Sequence, residues 1–372
     1  MSSNNRIFYA VQKAGIAPPG SLSFETVHGL QTLASTTTFN LDQVFEIGQV
    51  SIYENIDGVP DVEVTMEKVL DGWPPVYLLA TQADTDGSIT SPTLTGRSNA
   101  SCNIGIGIYP DTQDQADSGA PESEVHLSGM FCSSIAYNAT IDGSITESVT
   151  LVGNDKIWVG TAGESAGSYD DGTHWDGTSS LQSNSDQPYA ISGSGGVQRR
   201  EDVQFGAGSA SVCWLPADIP FLTPSGSPVS TGFNVANAAG TYPAHIQSWN
   251  MSTDLGREEM FELGRRGRYH RFVNFPVEVT NDFTVISTSG DLVSAVGDGL
   301  YSEGACGRYN LLDRIIIFRT CEGLEVNCGD NNKLSSVSTT GGDAGGGNVE
   351  VTYSYTNFND FTVTHPKDPA GL

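Results

Sequence analysis

From Asp61 to Glu67 apolar and polar side chains alternate strictly, with Val62, Val64 and Met66 on one face and Glu63, Thr65 and Glu67 on the other. A period of two predicts a half-buried strand with one wet side. The alternation returns in Val277, Val279, Phe283 and Val285 against Glu278, Thr280, Asp282 and Thr284, over a longer or bulged antiparallel run. Ser144 to Val152 and Gly347 to Tyr355 alternate too. Ile104 to Ile108 sets large side chains against glycines, so one face is nearly bare and a neighbouring backbone can approach it. Arg6 to Val11 reads as a short strand, which Pro18-Pro19-Gly20 ends. Short helices fit Pro75 to Thr81 and Leu292 to Val296, neither strongly capped.

These patterns occur twice. Phe45-Glu46-Ile47-Gly48, then Tyr53 and Val62-Glu63-Val64-Thr65, return as Phe261-Glu262-Leu263-Gly264, Tyr269 and Val277-Glu278-Val279-Thr280, with one deletion near Pro60/Pro276. Leu30-Gln31-Thr32 lies over Ile246-Gln247-Ser248 at the same spacing. Ile104 to Tyr109 lies over Ile315 to Arg319, and Ser133-Ser134-Ile135 with Val149-Thr150 over Ser335-Ser336-Val337 with Val351-Thr352, in the same order and at shrinking offsets. So long a period predicts two copies of a whole domain rather than a solenoid. The expected organisation is an arm at 1–20, a first β-domain at 21–158, a connector rich in Gly and Ser at 159–237, a second β-domain at 238–366 and a tail at 367–372.

Composition narrows the class. A chain of 372 residues can bury two cores, and 43 glycines with only 16% charged residues fit many short strands joined by turns. No apolar run reaches membrane-span length, and the first twenty residues lack the apolar core of a secretory signal, so the expectation is a soluble chain with no membrane partner. The 44 acidic residues outnumber the 17 basic ones, which disfavours a protein that grips nucleic acid by its phosphates. Such a balance suits a surface that repels DNA; it also suits a protein working in high salt.

Candidate chemistry is thin. Gly163-Glu164-Ser165-Ala166-Gly167 spells a nucleophile elbow, but turn residues follow Ser165 where a helix is required. Asp84-Thr85-Asp86-Gly87 and Asp170-Asp171-Gly172 lack the closing Glu of a calcium loop. The six histidines form no cluster, and the six cysteines form no CxxC pair and read as buried thiols. No catalytic, cofactor-binding or metal-binding residue is expected, and the chain reads as no enzyme. Exposed Trp73, Trp158, Trp175 and Trp249 on one flat face would mark a secreted glycan-binding module instead.

One segment opposes the overall charge. Arg257, Arg265, Arg266, Arg268, His270 and Arg271 gather where the first repeat has Asp42, Glu46, Gln49 and Glu54. Complementary patches at equivalent positions fix register between copies, so Arg257, Arg265, Arg266, Arg268, Arg271, Glu46 and Glu54 are the candidate inter-subunit contacts.

The chain resembles the tail-tube and related virion structural proteins of tailed bacteriophages and archaeal viruses. The likeness lies in Gln43 to Gln49, in Tyr53-Glu54-Asn55 through Pro60 to Thr65, in Gly143 to Gly153 and in Asn357 to His365. It implies an all-β chain of two tandem β-barrel or β-sandwich domains, each with a short flanking helix. It also implies packing into stacked rings around a channel that DNA traverses during genome ejection without specific binding. The usual single-domain member forms six-fold rings, so two domains per chain imply homotrimers with pseudo-six-fold symmetry, hexamers being the alternative. The other implied partners are tail proteins, in a virion assembled in the host cytoplasm. A capsid decoration protein or tail adaptor would share this composition.

Overall fold

The computed structural model describes residues 6–19, 24–82, 92–112, 116, 121–159, 196–205, 245–264, 268, 270–286, 301–303, 309–311, 313–341 and 347–367. The first part of the chain supplies β1 (Gln12–Ala17), β2 (Glu25–Thr26), β3 (Leu30–Thr38), β4 (Leu41–Phe45), β5 (Ile52–Asp57), β6 (Asp61–Val69), β7 (Ser101–Ile108), β8 (Ser123–Thr140), β9 (Thr146–Gly153) and β10 (Ile157–Val159). The second supplies β11 (Val203–Phe205), β12 (His245–Asp254), β13 (Arg257–Met260), β14 (His270–Val273), β15 (Glu278–Ile286), β16 (Tyr301–Glu303), β17 (Tyr309–Leu311), β18 (Ile317–Thr320), β19 (Glu325–Asn327), β20 (Lys333–Thr340), β21 (Glu350–Phe358) and β22 (Thr362–Thr364). The helices are α1 (Val76–Ala80) and α2 (Leu94–Arg97).

The fold is all-β, as the alternation predicts, but its sheets do not close into a barrel. The long strand β8 explains why. Its first half pairs with β7 and β10; it then passes Gly129, whose φ of 60° suits glycine, and its second half pairs with β9. The other edge of that second half is taken by β12 rather than by β3, so both sheets stay open.

Each half of the chain shows the same strand order. One layer runs β1-β7-β8-β10 in the first half and β11-β18-β19-β22 in the second. The other runs β3-β6-β9-β8 and β12-β15-β21-β20, joined through β8 and β12 into one eight-strand run. Two irregularities sit at matching places. The β3–β6 ladder skips Gln31 and the β12–β15 ladder skips Gln247; the β8–β9 ladder skips Ser133 and the β20–β21 ladder skips Ser335. Bulges of this kind pin register.

They also correct the alignment read from sequence. Counted from the bulges, Val62 stands over Val279 rather than Val277, and Val149 over Tyr353 rather than Val351. A shift of two leaves every side chain on its own face, so the pattern alone does not detect it. Residues 1–20 contribute β1, and within the connector β11 forms at Val203–Phe205, where a short strand is expected around Val203; the strand expected around Val212 lies outside the described residues. The strand expected over Arg6 to Val11 begins instead at Gln12, after a 3₁₀ turn at Tyr9–Val11.

The buried face of the eight-strand run carries Val64, Met66, Tyr137, Leu151, Met251, Phe283 and Tyr353. Trp249 stacks on Phe318 at 4.5 Å, and Phe205 meets both Trp249 and Phe283 edge-on. These rings join the two layers of the second half. In the first half α1 is wholly buried. Pro75 gives it no side-chain cap, so the amides of Val76 and Tyr77 donate to Glu147 of β9 at 2.5 and 3.2 Å. The helix expected over Leu292 to Val296 lies outside the described residues.

Candidate subunit interface

The chain contains one lateral junction of its own. β8 and β12 pair antiparallel from Ser134↔Asp254 to Thr140↔Ser248. The hairpin β13–β14, which follows β12, clamps that junction. Arg257 donates from Nε to the Cys132 carbonyl at 2.6 Å and from Nη2 to the Ser98 carbonyl at 2.7 Å, while its guanidinium lies 5.1 Å from the Phe131 ring. His270 meets the same ring edge-on at 5.0 Å. Arg268 Nη2 reaches Asp61 at 2.7 Å and Arg271 Nη2 reaches it at 3.0 Å; Glu259 pairs with both arginines on the hairpin side. Arg271 also donates to the Gly153 carbonyl at 3.2 Å and to Asn154 Oδ1 at 3.3 Å.

Burial pushes the Arg257 guanidinium down to about 10 and lowers Arg271 too. Burial works against ionisation of Asp61, but the Asn40 amide and the two guanidinium groups outweigh it and hold the carboxyl below its ordinary value. Desolvated cations thus face matched acceptors, an arrangement that fixes one geometry.

The sequence-derived contact set is therefore divided. Arg257, Arg268 and Arg271 come together, against Asp61 and Glu259 rather than against Glu46 or Glu54. Glu54 lies on the exposed strand β5, and Glu46 at the exposed β4–β5 turn accepts from Gln49 at 3.3 Å. Arg265 and Arg266 lie outside the described residues. Asp61 and Glu259 escaped the sequence reading because each stands in an ordinary acidic stretch; the signal was their place beside the repeated strands.

The eight-strand run ends in two edges with no second partner among the described strands: β3 pairs only with β6, and β20 only with β21. The wet face of the eight-strand run is a carpet of short polar groups. Hydroxyl pairs bridge neighbouring strands at Ser252–Thr280 (2.7 Å), Thr284–Thr352 (3.1 Å) and Thr65–Thr150 (3.4 Å). Glu63, Glu67, Glu278, Asp282 and Glu350 add carboxylates to these rows, and Lys333 stands at the end of the edge strand.

Other candidates lose ground or lie outside the description. Trp249 is fully buried, so it belongs to no surface platform; Trp73 stacks on His28, Trp158 is exposed and Trp175 is not described. Ser165, Asp84, Asp86, Asp170 and Asp171 lie outside the described residues. Cys102, Cys132 and Cys328 are buried thiols, whereas Cys321 is exposed. Among the described residues no cluster of metal-ligating side chains is found, and no helix is long and apolar enough to cross a membrane.

Fold and junction together define an all-β sandwich protein with an open lateral edge on either side. No family model and no curated protein matches the chain. Among solved structures it is similar to a chain in the cryo-electron-microscopy structure of the anti-feeding prophage (AFP) baseplate, 6-fold symmetrised. That likeness has 13% sequence identity and a TM-score of 0.31 over 43% of this chain and 99% of the other.

Proposed function

We propose that the chain is two copies of one β-module and serves as a structural, non-catalytic virion protein of a tailed virus. Three chains close side by side into a ring of six modules, and the rings stack as the tail tube. The observation that carries the reading is the pairing of β8 with β12. β20 is the counterpart of β8 in strand order, and β3 is the counterpart of β12. The internal junction is therefore a template for β20 of one chain pairing with β3 of the next, a head-to-tail contact that closes when the rotation per module is one sixth of a turn. Closure would cover both open edges, which otherwise invite uncontrolled strand addition. The hydroxyl and carboxylate face would then line the channel, where it holds phosphates off rather than binding them.

Negative-stain electron microscopy of the purified protein, with mass measurement of the smallest closed species, tests this. Rings or tubes built on three chains are expected. A protein that remains monomeric at high concentration overturns the reading, and so does a ring whose lumen is lined by Arg and Lys.

A further inference from the structure

The hairpin β4–β5 is unlike the rest of the fold. It follows β3 as β13–β14 follows β12, and its end pair Leu41↔Asp57 matches Arg257↔Val273. The two turns match as well: Gly48 and Gly264 both take left-handed backbone, at φ 109° and 86°. Yet every residue of β4 and β5 is exposed, including Leu41, Phe45, Ile52 and Ile56. Its counterpart grips the first half of the chain through Arg257, Arg268 and Arg271. Among the described residues β4–β5 lies on no such bed.

Carried across by the matched bulges, one of these contacts changes its chemistry in step on both sides. Where His270 meets Phe131, the external pair is Glu54 and Lys333. Where Arg271 donates to Asn154, the external groups are Asn55 and Phe358. Lys333 keeps 48% of its side chain exposed while pairing with Asp313, and Phe358 is 54% exposed at the end of β21. An acid thus meets a base.

We propose that β4–β5 is a lateral strap that docks on the second half of a neighbouring copy of this chain, with Glu54 against Lys333 and the exposed apolar side chains of the hairpin, Ile52 among them, covered by the contact. The inference rests on the ring reading and adds its residue-level contact. It also explains the composition of the hairpin, since an apolar arm on a strongly acidic chain is tolerated when assembly covers it.

Charge reversal tests the strap. Glu54→Lys and Lys333→Glu are each expected to raise the concentration at which rings dissociate by about tenfold or more, read by mass photometry or sedimentation, while the double variant recovers most of the loss. Ile52→Asp should weaken assembly without any rescue. Glu54 lies on an exposed strand, so the circular dichroism and melting temperature of its variant should match the parent. Rings that form as tightly in both single variants as in the parent overturn the strap and leave the ring reading standing. A parent chain that never assembles removes both.

Discussion

Two buried or half-buried carboxylates show how single residues steer this fold in opposite directions. Asp61 is held below its ordinary 3.8, with burial opposing and the Asn40 amide and two arginines prevailing. Its contribution to stability is therefore present above the unfolded value and disappears as pH falls through the folded one. Asp61→Asn should lower the urea midpoint near neutrality, and the gap to the parent should begin to narrow below about pH 4 and close only below the depressed folded value, where both chains lack the charge. Glu147 has the reverse sign: burial raises it above its ordinary 4.5 although Lys68, Tyr137 and two backbone amides pull it down. Its contribution is complete below the unfolded value and is lost as pH rises through the folded one. Its geometry still matters at every pH, because the Val76 and Tyr77 amides and the Tyr137 hydroxyl, at 2.8 Å, all point at it. Glu147→Gln turns a donor toward one of those donors. We expect a loss of about 1–3 kcal/mol in denaturant titration.

At the scale of elements, strand edges separate what pattern can reveal from what it cannot. The alternation in β6 and β15 announced half-buried strands, and Val62, Val64, Val279 and Phe283 are buried where it placed them. Gln31 and Gln247, or Ser133 and Ser335, were visible as matching letters but not as bulges, because a skipped residue leaves no mark in hydrophobicity. The arginines of the internal clamp were legible as a cluster. Their partners were not, since Asp61 is brought to Arg271 only by strand pairing across more than half the chain. The edges were hidden as well: Leu30 to Thr38 reads as an ordinary Thr-rich strand, whichever side its neighbour lies on. The internal pair Ser252↔Ala136 maps onto Thr36 and Ser338, both exposed on the free edges. Thr36→Lys together with Ser338→Lys would place like charges directly opposite. Ring formation should be lost, with the melting temperature of the remaining monomer unchanged within about 2 °C, since each side chain is on the surface.

For the whole molecule, net charge sets the conditions of assembly. Each chain carries a formal −27, so the proposed ring of three would bring together charges that repel one another across every junction. The proposed Glu54–Lys333 contact would pull the other way but is a single surface pair, worth up to about 1 kcal/mol. Screening acts on both, and the general repulsion is the larger sum: the Debye length falls from about 10 Å at 0.1 M salt to about 3 Å at 1 M. Rings should therefore form at lower protein concentration as salt rises, the opposite of the trend for an interface held by attraction between unlike charges. The same field acts on DNA. Duplex fragments should comigrate with buffer controls in mobility-shift assays at 50 mM salt, where a protein that grips phosphates binds most tightly. Retardation that fades with added salt would instead put a cationic surface where the proposed channel face carries rows of Ser, Thr, Asp and Glu.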